Sequence, residues 1–174
     1  MERIHFGTSI IELDIPKENL AFNLKANDFK VPVDQEGEIR RSILNPVGCR
    51  RLRDMVSKND KVVILVDDRT RLTPQKLIIP IVLEELNEAG LNYDQIKIVI
   101  AYGTHRSMTR DEIRERFGAE LMSALEIRGH DCLDGNNLID KGITRRGTRI
   151  FINKEVLEVD IRIAIGSVVP HHPT

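Results

Sequence analysis

The chain has 174 residues, of which 41% are hydrophobic and 30% are charged, and this composition excludes a wholly disordered chain. Lysine and arginine together number 26 against 27 acidic residues, so the chain lacks the basic excess that is typical of a nucleic-acid-binding protein. Aromatic residues make up only 4% and tryptophan is absent, which argues against a platform for base stacking.

No feature of the sequence predicts a membrane or secreted protein. No apolar run approaches the roughly 20 residues needed to span a bilayer, and the N-terminus lacks a cationic segment followed by an apolar one. Cys49 and Cys132 belong to no CxxC pair, so they are interpreted as free, buried thiols in a reducing cytoplasm. We therefore expect a cytoplasmic protein with neither a membrane nor a nucleic-acid partner.

The N-terminal third predicts short elements. Residues 3–6 and 9–15 alternate between apolar and polar side chains, which predicts an N-terminal β-hairpin. Two short helices are expected next, around 39–44 and around 52–56, because their apolar residues lie at helical spacing.

The centre of the chain predicts one βαβ unit. Residues 61–66 (KVVILV) and 95–101 (QIKIVIA) are short apolar runs rich in β-branched residues, which is typical of buried parallel strands. Between them, Thr73 is a candidate N-cap and Pro74 suits the first helical position, so a helix is expected from there to about Ala89.

The pattern of helix and strand then repeats. Thr109 and Glu112 have the spacing of a capping box that opens another helix, and a short helix is expected over 120–124. A hairpin is predicted over 143–152, and residues 160–166 (DIRIAIG) form a third apolar strand.

These elements predict a single α/β domain over 1–174. We expect a mostly parallel sheet flanked by helices, Rossmann-like, with the N-terminal β-hairpin added to it. In such sheets ligands bind beyond the carboxyl ends of the strands. That rule selects three loops as candidate functional segments: 67–73, 102–108 and 167–174.

The first loop joins a strand to a helix N-terminus and is crowded with polar side chains. They are Asp67, Asp68, Arg69, Thr70, Arg71 and Thr73. A helix N-terminus attracts anions, and an arginine can grip a carboxylate or phosphate with two parallel hydrogen bonds. The alternative is a solvated loop in which the acids and arginines neutralise one another as surface ion pairs.

Histidines mark the other two loops. His105 follows the second strand and can titrate near neutral pH. By itself a lone histidine is a weak signal, and a loop histidine bonded only to the backbone is the favoured alternative. His171 and His172 follow the third strand, and adjacent side chains in an extended segment point in opposite directions. We therefore expect one of the two to be functional, and no metal site is predicted from the pair alone.

Two imidazoles from different strands beside an arginine suit racemisation or epimerisation next to a carboxylate, because His105 and His171 could exchange acid and base roles. Two alternatives remain. Asp67 and Asp68 could hold Mg²⁺ in a phosphohydrolase. A non-catalytic module could also bind phosphate or another anion with only the helix N-terminus and the arginines.

Four motifs in order give the sequence a family resemblance. They are DDRTRLTP at 67–74, GTHRSMT at 103–109, GTRIFINKEVLEVD at 147–160 and IGSVVPHH at 165–172. Together they resemble the N-terminal domain of the nickel-dependent lactate racemase family, over a stretch from about Leu44 to His172. Members of that family also act on 2-hydroxy acids other than lactate.

The resemblance implies a mechanism and a set of residues. Family enzymes use a nickel pincer nucleotide, derived from nicotinic acid mononucleotide, whose ring accepts a hydride from C2 of the hydroxy acid. His105 and His171 would be the two acid/base groups. Asp68 and Arg71 would lie in the substrate and cofactor pocket, with Arg71 on the substrate carboxylate. Arg69 and Thr70 would be their neighbours.

The resemblance also implies parts that this sequence lacks. In the family a Gly-rich segment with the cofactor-tethering lysine, a nickel-ligand histidine and a second, C-terminal domain follow the Pro-His motif. Because the sequence stops at Thr174, we interpret it as the N-terminal catalytic domain of a longer enzyme, without a metal ligand of its own and inactive alone. Apolar surface left bare by the truncation would favour a homo-oligomer.

Overall fold

A computed structural model describes residues 2–6, 9–24 and 30–169. The chain divides into two compact units, Met1–Val33 and Asp34–Thr174. Each unit is described by itself below, and the single domain over 1–174 stays a prediction.

Eight strands and five helices form the described part of the chain. In chain order they are β1 (Glu2–Phe6), β2 (Ser9–Leu13), α1 (Gln35–Leu44), β3 (Val62–Asp67), α2 (Gln75–Glu88), β4 (Ile96–Ala101), α3 (Arg110–Phe117), α4 (Ala119–Ala124), β5 (Glu126–Gly129), β6 (Leu138–Ile143), β7 (Arg149–Asn153), α5 (Lys154–Leu157) and β8 (Ile161–Ile165).

The first unit contains the predicted N-terminal hairpin. β1 and β2 pair antiparallel, with Ile4 opposite Ile11 on one face. On the other face, Arg3 and Glu12 form an exposed ion pair of 2.8 Å. Gly7 and Thr8, which lie between the two strands in sequence, are outside the described residues.

The second unit is built on a four-stranded parallel sheet in the order β5–β4–β3–β8. β3 is a central strand that is covered on both faces. Val62 and Ile64 are fully buried on one face of the sheet, and Val63 is fully buried on the other. A strand that is covered on both faces reads as a continuous apolar run, which is why KVVILV was recognisable. The predicted α/β class with a mostly parallel sheet is confirmed.

Helix α2 covers one face of this sheet. Ile79, Val82 and Leu86 lie at helical spacing and are buried against the strands. The chain leaves the helix through Gly90, whose φ of +91° favours glycine. Among the residues that the structure describes, no helix has the length and apolar character needed to cross a bilayer.

The prediction that the two cysteines are buried is wrong, since Cys49 and Cys132 are free and both exposed.

The structure differs from the sequence-based expectation at three further places. The segment expected to be a helix at 52–56 is a single 3-10 turn, Leu52–Asp54. β5 was not predicted, because its four residues alternate charged and half-buried side chains at the edge of the sheet. Thr73 is not the N-cap of α2, since its hydroxyl donates to the carboxylate of Asp67 and leaves Pro74 in the capping position.

A close approach between β5 and the end of β4 gives a testable prediction. A Cβ added to Gly129 would lie 2.4 Å from Cε2 of Tyr102, whose ring is buried and cannot swing aside. We expect Gly129→Ala to lower the free energy of unfolding by about 1–3 kcal/mol, measured by urea denaturation. The matched control is Gly135→Ala, because a Cβ there meets nothing within 4 Å. Equal stability of the two variants would contradict the prediction.

Candidate active site

The order of the strands places a cavity at the edge predicted to bind ligands. From β3 the chain continues to β4 and β5 on one side, and β8 later pairs with β3 on the other side. The topological switch point therefore lies between the carboxyl ends of β3 and β8. A cavity of about 420 Å³ lies there. Its walls are formed by Thr70, Arg71, Leu72, Thr73, Pro74, Ile78, Gly166, Ser167 and Val169.

Asp68 and His105 meet across two of the predicted loops. Nδ1 of His105 lies 2.7 Å from Oδ2 of Asp68, although 37 residues separate the two in sequence. An ionised carboxylate only accepts hydrogen bonds, so neutral His105 carries its proton on Nδ1. Its Nε2 is then free to accept a proton from another group. The Asp68 side chain is 6% exposed and that of His105 is 54% exposed, so the pair combines a buried anion with an accessible imidazole.

Thr70 completes the surroundings of the Asp68 carboxylate. Its backbone N–H donates to Oδ1 at 2.9 Å and its hydroxyl donates to the same oxygen at 2.5 Å. Burial raises the pKa of Asp68, but the hydrogen bonds from Thr70 and His105 outweigh burial, so this pKa lies below its ordinary value. Asp68 is therefore ionised at neutral pH and keeps its partner imidazole in one tautomer.

The loop that carries His105 is fixed at its base. The backbone N–H of His105 donates to the carbonyl of Tyr102 at 3.0 Å, and Gly103 between them has a φ of +60°. Arg106 donates to both oxygens of Glu112, which belongs to the predicted capping box of α3. The hydrogen bond from Arg106 lowers the pKa of Glu112 to about 2, so this ion pair persists over the physiological range.

The two arginines of the first loop have different surroundings. Arg69 lies 3.4 Å from Glu112 in an ion pair. Arg71 is exposed, lines the cavity, and has no carboxylate within ion-pair distance in the part of the chain that the structure describes. Of the two, only Arg71 therefore has a guanidinium available for an anion in the cavity.

Asp67 holds the loop in place, and the pattern of residues in the loop does not predict its partners. Its carboxylate accepts hydrogen bonds from Thr73, from Nε2 of Gln75 at 2.9 Å, and from Arg116 on α3. The basic partners of the two acids, Arg116 and His105, thus lie outside this loop, and neither acid pairs with Arg69 or Arg71 as one alternative proposed.

The magnesium alternative receives little support from this geometry. All four carboxylate oxygens of Asp67 and Asp68 already take part in hydrogen bonds within the protein. Over residues 2–6, 9–24 and 30–169, no three histidine, cysteine or acidic side chains are close enough together to hold a metal ion. A divalent cation would have to displace these bonds to bind.

The second predicted acid/base group is not part of the described structure. His171 and His172 both lie outside the described residues, so their distances to His105 stay predictions. The described chain reaches Val169, two residues before His171, and Val169 lines the cavity beside Arg71. The structure thus joins Thr70 and His105 through hydrogen bonds to Asp68, and Thr70 and Arg71 line the cavity.

Fold and site together define an α/β domain with an aspartate–histidine pair and a free arginine at the carboxyl edge of a parallel sheet. Residues 6–173 match the lactate racemase N-terminal domain family. The chain belongs to this family, which confirms the resemblance carried by the four motifs.

Individual relatives agree with this assignment. The chain is 32% identical to a lactate racemase of Thermoanaerobacterium thermosaccharolyticum, over 97% of this chain and 40% of that relative. It is 28% identical to a lactate racemase of Lactiplantibacillus plantarum, over 92% of this chain and 38% of the relative. The solved structure of the Thermoanaerobacterium thermosaccharolyticum lactate racemase apoprotein superposes with a TM-score of 0.79 at 29% identity, covering 93% of this chain and 37% of that one. The chain thus spans about two fifths of the length of these relatives.

The lowered pKa of Asp68 predicts a pH-dependent contribution to stability. A carboxyl whose pKa is lowered by folding stabilises the folded state above its ordinary pKa of 3.8, and this stabilisation is lost as the pH falls through the lowered value. We expect Asp68→Asn to cost about 1–3 kcal/mol of unfolding free energy at neutral pH. The difference from the original chain should shrink below about pH 4, as measured by urea denaturation. A difference that is the same at neutral pH and at pH 3 would contradict the pKa direction.

Proposed function

We propose that this chain forms the N-terminal catalytic domain of a 2-hydroxy-acid racemase or epimerase of the lactate racemase kind. Family membership and the names of the relatives support the class of enzyme. The single observation that carries the proposal is the Asp68–His105 hydrogen bond at the sheet edge where Arg71 lines a cavity.

The proposed substrate is a small 2-hydroxy acid. Its carboxylate would be bound by Arg71, whose planar guanidinium can make two parallel hydrogen bonds to the two oxygens. The short apolar walls of the cavity, Leu72, Ile78 and Val169, suit the remainder of a small organic acid. Holding the acid at one end orients its hydroxyl and its C2 hydrogen relative to the loops.

His105 would move the proton of the substrate hydroxyl. Its Nε2 is the free nitrogen, and it can remove that proton as C2 becomes a carbonyl carbon. The neighbouring Asp68 would stabilise the imidazolium that forms and would keep the ring in the same orientation. Return of the hydrogen to the other face of C2 inverts the centre, and His171 is proposed as the second acid/base group on that side.

The proposed cofactor is the nickel pincer nucleotide of the family. When bound, it supplies the acceptor for the C2 hydride. Arg71 and Ser167 fit an anionic group such as a carboxylate or a nucleotide phosphate, because they bring a guanidinium and a hydroxyl to one cavity. Thr70 lines the same cavity, but its hydroxyl hydrogen is donated to Asp68. The tethering lysine and the nickel-ligand histidine are not assigned to residues of this chain.

The remaining partner in this proposal is a C-terminal domain of the same kind of enzyme. The chain spans about two fifths of its relatives, and we propose that the 174 residues alone do not racemise a hydroxy acid. The activity tests below therefore use the cofactor-loaded enzyme that contains this sequence.

Substitutions at His105 and Arg71 test the proposed roles. His105→Asn keeps a donor for Asp68 but has no nitrogen that titrates, so kcat for interconversion of the two lactate enantiomers should fall about 10²–10⁴-fold. Arg71→Lys keeps the charge but loses the two-pronged grip, so KM should rise about tenfold. Chiral chromatography of the product measures both effects.

The control for these variants is Arg145→Lys, which lies in the exposed turn after β6 and lines no part of the cavity. We expect it to leave kcat and KM unchanged. A non-catalytic anion-binding module would instead show no racemisation in the original enzyme, together with binding of inorganic phosphate that His105→Asn leaves intact. Full activity of His105→Asn would remove the acid/base role.

A further inference from the structure

We propose that Arg116 on α3 is a positioning residue that fixes Arg71 in the cavity and sets its distance from His105. This inference rests on the function proposed above. Arg116 lies 45 residues after Arg71 in sequence, and none of the four family motifs contains it.

One guanidinium joins the two ends of the segment 67–71. Nη1 of Arg116 donates to the carbonyl oxygen of Arg71 at 3.0 Å, and Nη2 donates to the carboxylate of Asp67. The Arg116 side chain is only 12% exposed, so these bonds are shielded from competing water. Arg116 therefore fixes the main chain at Arg71 relative to β3 and α3, while the Arg71 side chain stays free to bind an anion.

The other end of this connection is rigid. Asp67 is the last residue of β3 and lies opposite Ala101 of β4 in the parallel ladder. Its carboxylate also accepts hydrogen bonds from Thr73 and Gln75, and Gln75 is 1% exposed in the first turn of α2. A carboxylate held by a strand, a helix start and a guanidinium has little conformational freedom. Because Arg116 binds both this carboxylate and the Arg71 carbonyl, it restricts the position of the Arg71 main chain as well.

A second residue of α3 connects the same helix to the loop of His105. Glu112 lies one turn before Arg116 and accepts hydrogen bonds from Arg106 at 2.6 and 2.8 Å. It also forms the ion pair with Arg69. α3 therefore holds the loop 67–73 through Arg116 and Glu112, and the loop 102–108 through Glu112. The helix sets the separation between the group proposed to bind the carboxylate and the group proposed to take the proton.

This separation matters because acid–base chemistry on a bound acid depends on sub-ångström placement of both groups. A displacement of about 1 Å can cost on the order of a hundredfold in rate. A residue that only stabilised the fold would lower the amount of folded enzyme, whereas a residue that acts through Arg71 changes the binding of the acid itself. The positioning role predicts that replacing Arg116 changes KM only when Arg71 is present. The structural role predicts a change that does not depend on Arg71.

A double-mutant cycle in the cofactor-loaded enzyme separates the two roles. Arg116→Met should raise KM for the hydroxy acid about tenfold, with a smaller change in kcat. In an Arg71→Met background, adding Arg116→Met should change KM by no more than about twofold, because the group that it positions is already gone. Arg116→Lys can make one of the two bonds and should give an intermediate KM. The matched control is Arg114→Met, on the same helix and exposed, which should leave KM unchanged.

Amide hydrogen exchange in the 174-residue chain gives a readout that needs no activity. The backbone N–H of Arg71 donates to the carbonyl of Asp68 at 3.2 Å, and this turn should open more often when Arg116 releases it. We expect exchange of the Arg71 amide to quicken by about tenfold or more in Arg116→Met, with exchange at Ile64 in β3 unchanged. If Arg116→Met does not fold, Arg116→Lys serves for both measurements.

The outcomes distinguish this inference from the function on which it rests. Independent, multiplicative effects of Arg116→Met and Arg71→Met on KM, with unchanged exchange at Arg71, would overturn the positioning role and leave the racemase proposal intact. Faster exchange at Arg71 in a cofactor-loaded enzyme that shows no racemisation would overturn the proposed function, while the link between Arg116 and Arg71 would stand as a structural fact.

Discussion

Two consecutive carboxylates at the end of the central strand organise this molecule. Successive side chains along an extended chain point to opposite sides, so Asp67 and Asp68 are directed to different neighbours. Asp67 meets Arg116, Thr73 and Gln75, and this network ties the strand to two helices. Asp68 meets Thr70 and His105, and this second network forms the candidate site. The first carboxylate thereby fixes the backbone on which the second depends.

Local sequence patterns predicted the helices, strands and loops, but they did not predict which distant side chains form hydrogen bonds with one another. The strands β3, β4 and β8 and the capping box at Thr109 and Glu112 follow from periodicity and spacing, because these signals are contained within a few residues. The bond from Arg116 to Asp67 spans 49 residues, and nothing in the neighbourhood of Arg116 distinguishes it from the other arginines of α3. Thr73 shows the same limit at short range, since its hydroxyl donates to Asp67 at the end of β3 and does not cap α2.

For the candidate site, the sequence predicted the residues, and the structure shows how the surroundings of those residues differ. Strand ends selected the loops, and the family motifs selected His105, Asp68 and Arg71 within them. The contrast between Arg69 and Arg71 needed coordinates, because one residue separates the two in sequence, while in the structure Arg69 pairs with Glu112 and Arg71 lines the cavity. The contact between Asp68 and His105 likewise depends on the neighbouring positions of β3 and β4 in the sheet.

The exposure of the proposed base gives a physical reason for the proposal that this chain does not act alone. More than half of the His105 side chain is open to solvent, while its partner Asp68 is almost fully buried. Water weakens the attraction between Arg71 and a carboxylate, and it competes with a substrate for hydrogen bonds to an exposed imidazole. A cover that excluded water from this edge of the sheet would strengthen both interactions. Asp68 orients His105 from the buried side of the site. In the proposed enzyme, the C-terminal domain would cover the exposed side.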